Sequence, residues 1–136
     1  MITAFELNTL VFQLLNGHVS INGGVYTEDD RPNNSNLEDI VINTIDTTTD
    51  ALPQIATSNV NIYVPDRTKN INGANQKKAN RTRLRKLTHD VIDLLKTSQF
   101  VGIKLIVRNQ TTISEPNINQ HYTNIRIDWN IQTNQI

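Results

Sequence analysis

Residues 77–97, KKANRTRLRKLTHDVIDLLKT, constrain the fold more than any other stretch, because a helical apolar stripe and the densest charge in the chain coincide there. Leu84, Leu87, Val91, Leu94 and Leu95 recur at the spacing that gathers side chains on one face of a 3.6-residue helix. Lys78, Arg81, Arg85 and His89 fall on another face. Asn80 or Asn75 is expected to cap the start, and the pattern stops at Ser98 and Phe100. One face should therefore lie on a sheet while the other presents cations.

A second helix is expected over residues 3–16, with Phe5, Leu7, Leu10, Val11, Leu14 and Leu15 as its apolar stripe. Thr3 and Glu6 stand in capping-box relation at its start, and Gly17 supplies its stop. The other periodic stretches alternate with period two, as half-buried strands do. A short strand is expected at Val25 and Tyr26, after an Asn22-Gly23-Gly24 turn. Longer strands follow at 38–45, at 54–64 (Val60, Ile62 and Val64 inward) and at 101–107 (Val101, Ile103, Leu105 and Val107 inward). The last alternates most cleanly, with Ile125, Ile127, Trp129 and Ile131 on one side. Residues 27–37, 46–53 and 66–76 read as polar loops or connections, and 109–121 as a long hairpin tip. The order is α-β-β-β-α-β-β. This is an α+β chain with a two-layer, mostly antiparallel sheet packed with two helices, in a single domain over 1–136.

A chain of 136 residues buries roughly two-thirds of its unfolded surface. With only three Phe, three Tyr and one Trp, the core has to be built from Ile, Leu and Val. Zero cysteines exclude a disulfide framework and any thiolate metal site. No apolar run is long enough to span a bilayer, and residues 1–16 are too short and polar for a signal peptide, so no membrane partner is expected. Formal charge is zero but divided: residues 1–50 hold eight acids and one base, residues 51–136 five acids and twelve bases. An acidic side and a basic side on one subunit suit head-to-tail assembly. Chance segregation on a solvated surface is the plainer account.

Catalytic constellations are not found. His18, His89 and His121 lack the i, i+4 spacing of a metal pair, and there is no HExxH, phosphate-cradling glycine loop or nucleophile elbow. Glu28, Asp29 and Asp30 lack the alternating spacing of a calcium loop. Neither enzymatic activity nor a cofactor is expected. The strong local signal is Lys77, Lys78, Arg81, Arg83, Arg85 and Lys86, six cations in ten residues. Phosphate-backbone contact is one reading, making the chain a small nucleic-acid-binding module that uses the basic helix 77–97. Contact with acids of a neighbouring subunit, such as Glu28, Asp29 and Asp30 beside Arg31, is the other, favoured by the neutral total charge and the lack of interleaved aromatics.

The chain also resembles the bacteriophage tail terminator and tail-completion proteins of the head-to-tail neck. The first helix with Ile21-Asn-Gly-Gly-Val-Tyr26 and the Arg31-Pro32 loop carries one part of the likeness. Glu38-Asp-Ile-Val-Ile-Asn43 leading to Val60-Asn-Ile-Tyr-Val64 carries the second, and the basic helix before Ile125-Arg-Ile-Asp-Trp129 the third. The resemblance covers nearly the whole chain and rests on element order. It implies a virion structural protein, assembled in the host cytoplasm, that forms a homo-oligomeric ring of six or twelve copies. Such a ring joins the portal or connector to the tail and lines the genome exit channel, in transient contact with genomic DNA. The ten residues Lys77, Lys78, Arg81, Arg83, Arg85, Lys86, Glu28, Asp29, Asp30 and Arg31 are then expected at subunit interfaces or in the channel lining.

Overall fold

The structure, a computed structural model, describes residues 1–136. Helix α1 (Ala4–Leu15) starts at the expected capping box: the Glu6 N–H donates to Thr3 Oγ1 at 3.4 Å, and the Thr3 N–H donates to Glu6 Oε1 at 3.1 Å. Asn16 caps the other end, and Gly17 follows in the left-handed region at φ +78°. Strands β1 (Val25–Thr27), β2 (Asp39–Thr47) and β3 (Gln54–Pro65) come next. A hairpin of β4 (Arg67–Ile71) and β5 (Ala74–Lys78) precedes helix α2 (Arg81–Lys96). Strand β6 (Ile103–Glu115), a single 3-10 turn (Pro116–Ile118) and β7 (Gln120–Ile131) complete the chain.

Five strands form one sheet in the order β1-β2-β3-β7-β6, and only β1 and β2 run parallel. The expected α+β order is present, with the β4–β5 hairpin as an addition between β3 and α2. Both helices lie on one face, where 21 buried apolar residues form one core. Ile40, Ile42, Val60, Ile62, Ile125, Ile127, Trp129 and Ile131 point into it from the sheet. Leu7, Val11 and Leu15 meet them from α1, and Leu84, Leu87, Val91 and Leu95 from α2. The opposite face carries no helix and is largely polar, with Asn43, Asn59, Asn61, Asn124 and Asn130 along it.

Several expectations are corrected. The basic helix begins at Arg81, capped by Asn80, whose Oδ1 accepts the Arg83 N–H at 3.3 Å; Lys77 and Lys78 belong to β5. Residues 66–76 are largely hairpin, turned at Asn72 (φ 52°) and Gly73 (φ 83°), the pair of positive dihedrals that suits the twist of a tight hairpin. Residues 109–121 are no tip: β6 and β7 stay paired to Glu115 and Gln120. The side chains of β6 from Asn109 to Ser114 are exposed and, Ile113 apart, polar, so no apolar alternation marks them. Val101 is solvent-exposed, because β6 starts only at Ile103. On α1, Phe5 faces water, while Asn8 is buried.

Candidate interaction site: a basic groove beside the second helix

The hairpin stands away from the sheet and faces α2 across the helix-side surface of β6 and β7. Between them runs a groove whose main chamber, about 800 Å³, is walled by Arg81, Arg85, His89 and Lys96 from α2. Its floor is Gln110, Thr112 and Thr123, with an apolar patch of Ala79, Leu84 and Ile92. An adjoining chamber of about 490 Å³ is bounded by Arg67, Lys69, Lys77 and Lys78 of the hairpin, and Arg81 and His121 belong to both. His121 Nδ1 lies 2.6 Å from Asp66 Oδ1, tying the root of the hairpin to β7.

Four of the chain's thirteen Lys and Arg residues are held in ion pairs: Arg31, Arg83, Lys86 and Arg108. Of the nine others, seven line this groove, and only Lys104 and Arg126 lie elsewhere. Asp93 is the one carboxylate among the lining residues. Seven cations lining one cleft raise its positive potential, which suits anionic groups.

The ten residues expected at interfaces divide. Lys77, Lys78, Arg81 and Arg85 come together in the groove. Arg83 turns away: its Nε and a terminal nitrogen donate to Glu38 at 2.5 and 2.9 Å, and it also reaches the Ser20 carbonyl. The hydrogen bond to Glu38 raises its pKa further above an already high value. Lys86 pairs with Asp90 one turn along the helix, at 2.7 Å.

Arg31 is a structural pin. It donates to Asp39 Oδ2 at 2.9 Å and to Gln120 Oε1 at 2.8 Å, and its guanidinium lies 4.0 Å from the Tyr63 ring centroid. Ser35 Oγ donates to the same carboxylate at 2.5 Å, so the chain between β1 and β2 is fastened onto the open face of the sheet. Glu28 accepts from Asn8 Nδ2 at 2.6 Å, leaving only Asp29 and Asp30 of that acidic run exposed and unpaired. Arg67, Lys69, Lys96 and the floor residues were not among the expected ones. The Asn72-Gly73 dipeptide between polar runs was the available signal for the hairpin that delivers two of those cations.

No three His, Asp or Glu side chains converge closely enough to share a cation. No helix is long and apolar enough to cross a membrane. A scan against protein-family models and a search of curated proteins both find no match.

Proposed function

We propose that the chain is a structural subunit of a bacteriophage neck or tail. Six or twelve copies close into a ring that joins the portal or connector to the tail around the genome exit channel. The observation that carries this reading is how charge is sorted once the fold's own pairs are made. Unpaired cations collect in the groove between α2 and the β4–β5 hairpin. The acids with neither an ion pair nor a side-chain hydrogen bond, Asp29, Asp30, Asp46 and Asp50, stand beyond β1 and around the turn between β2 and β3, toward the other edge of the sheet; Asp93 and Glu115 are the exceptions. Opposite charge on two sides of one subunit favours a heterologous contact, which repeats until it closes. The polar open face of the sheet and the α-β-β-β-α-β-β order are consistent with the same reading.

In this role the protein is no enzyme and needs no cofactor. Its partners are its own copies, the portal or connector and the tail proteins, with transient contact with genomic DNA. It becomes part of the virion after assembly in the host cytoplasm. Negative-stain imaging and mass photometry of the purified chain, alone and with connector and tail proteins, test this. A closed ring of fixed copy number is expected. A chain that stays monomeric in every one of these mixtures overturns the reading.

One observation favours a second reading, a small nucleic-acid-binding module: seven cations face one groove with so little acid. Titration with duplex and single-stranded DNA at two salt concentrations tests it. Phosphate neutralisation by these cations requires affinity that falls steeply with salt.

A further inference from the structure

We infer that the turn between β2 and β3 of one copy seats in the α2-side groove of the next. This rests on the ring reading and identifies which segment fills the groove. The turn, residues 48–53, is exposed at every position; Asp50 within it and Asp46 just before it have no ion-pair partners. Leu52 lies within it at 40 % exposed, an apolar side chain left partly open to solvent. The groove offers the complement: Arg81, Arg85 and Lys96 for the carboxylates, and the Ala79, Leu84 and Ile92 patch for Leu52.

The turn cannot reach its own groove, because it joins β2 to β3 while the groove lies past α2 over β6 and β7. The contact is therefore between copies and heterologous, the kind that propagates around a ring. The other acidic segment fits less well. Asp29 and Asp30 precede a stretch that Arg31 and Ser35 fasten onto its own sheet, so it has little freedom to enter a cleft. A nucleic-acid strand fits less well too, since no Phe, Tyr or Trp side chain lines the groove to stack a base.

The chain contains no cysteine, so engineered thiols report contact cleanly. Ala51→Cys and His89→Cys, both at exposed positions, should cross-link under mild oxidation when mixed at tens of micromolar, while neither alone should. The double variant should give a ladder that ends at the ring. Asp46→Lys/Asp50→Lys and Arg81→Glu/Arg85→Glu should each weaken self-association about tenfold or more, with unchanged circular dichroism, and an equimolar mixture should recover it.

Absence of the heterotypic cross-link overturns the inference. So does self-association untouched by either charge reversal, with the ring still present; in that case the ring reading survives and only this contact falls. Loss of salt-dependent DNA binding in Arg81→Glu/Arg85→Glu, with assembly intact, would reassign the groove to nucleic acid and overturn it as well.

Discussion

Trp129 donates its indole N–H to the Ser58 hydroxyl at 2.8 Å, and that contact begins a directed hydrogen-bond chain across the core. Thr44 Oγ1 donates to Asn8 Oδ1 at 2.7 Å, so the 2.7 Å contact between Ser58 and Thr44 must have Ser58 as donor. Asn8 then donates to Glu28 at the β1 edge, at 2.6 Å. One apolar core thus contains a line of polar groups linking β7, β3, β2 and α1, each satisfied by the next. Buried polar groups are tolerated on that condition, and removing one link exposes its neighbours.

Ser58→Ala should therefore destabilise far more than the loss of one oxygen suggests. It leaves the Trp129 N–H without an acceptor in a site that is fully buried. A cost of about 1–3 kcal/mol is expected in urea unfolding followed by Trp129 fluorescence. Glu28→Gln keeps an acceptor for Asn8 and should cost less than half as much. Equal costs for the two changes would show that the chain is not continuous.

The apolar half of this architecture was legible in the sequence and the polar half was not. Ile125, Ile127, Trp129 and Ile131 announce their strand because α2 covers one of its sides and water the other. Residues 109–115 form an equally regular strand, yet Gln110, Thr112 and Ser114 look into a groove rather than a core, so no alternation marks them. The same reason hid Arg67 and Lys69, placed on a hairpin with hardly any apolar side chain. Asn8 and Thr88 broke their helical stripes because each is buried on a hydrogen-bond partner, Thr44 and Thr123 respectively, which sequence spacing does not reveal. Of the six clustered cations, four lie along the groove. Arg83 and Lys86 differ only by where the helix turns them, toward Glu38 and Asp90.

Glu38 and Asp39 are neighbours in sequence but hold different arginines on opposite sides of the sheet, and their environments set different costs for losing them. The Asp39 side chain is 0 % exposed, so Arg31→Ala strands a buried charge and should cost about 3–5 kcal/mol. Arg83 is partly solvated at 31 %, and Arg83→Ala should cost about 1 kcal/mol or less. Arg31→Lys should recover only part of the loss, because an ammonium cannot bond Asp39 and Gln120 while lying flat on Tyr63. Parallel urea titrations of the three variants check the ranking.

Seven unpaired cations around one groove repel one another in the isolated subunit. Added salt shortens the reach of that repulsion from about 30 Å at 0.01 M to about 8 Å at 0.15 M. The melting temperature of the monomeric chain should therefore rise with sodium chloride over this range. Arg81→Gln/Arg85→Gln should melt higher than the parent at low salt and show a shallower salt dependence. A parent protein whose melting point falls with salt would mean that attractive pairs dominate its surface instead.

The stacked rings of Tyr63 and Tyr122, with centroids 4.8 Å apart, make a pH dependence with a definite sign. Burial pushes both phenol pKa values above the ordinary 10.0, and Glu115 adds to each. The Tyr122 neighbour raises Tyr63 further, while Arg31 partly opposes the rise. The folded chain thus holds these protons more tightly than the unfolded one. Their contribution is fully present below pH 10.0 and is lost as pH rises through the folded-state values, because the unfolded chain ionises first. Lysine deprotonation falls in the same range, so the informative quantity is a difference between variants. In urea unfolding followed from about pH 8 to about pH 11, Tyr63→Phe should lose stability less steeply than the parent above pH 10.0. Its remaining phenols should titrate with less of the late-rising tyrosinate absorbance. Identical slopes for Tyr63→Phe and the parent would place the alkaline loss elsewhere, and a steeper slope in the variant would reverse the sign argued from burial.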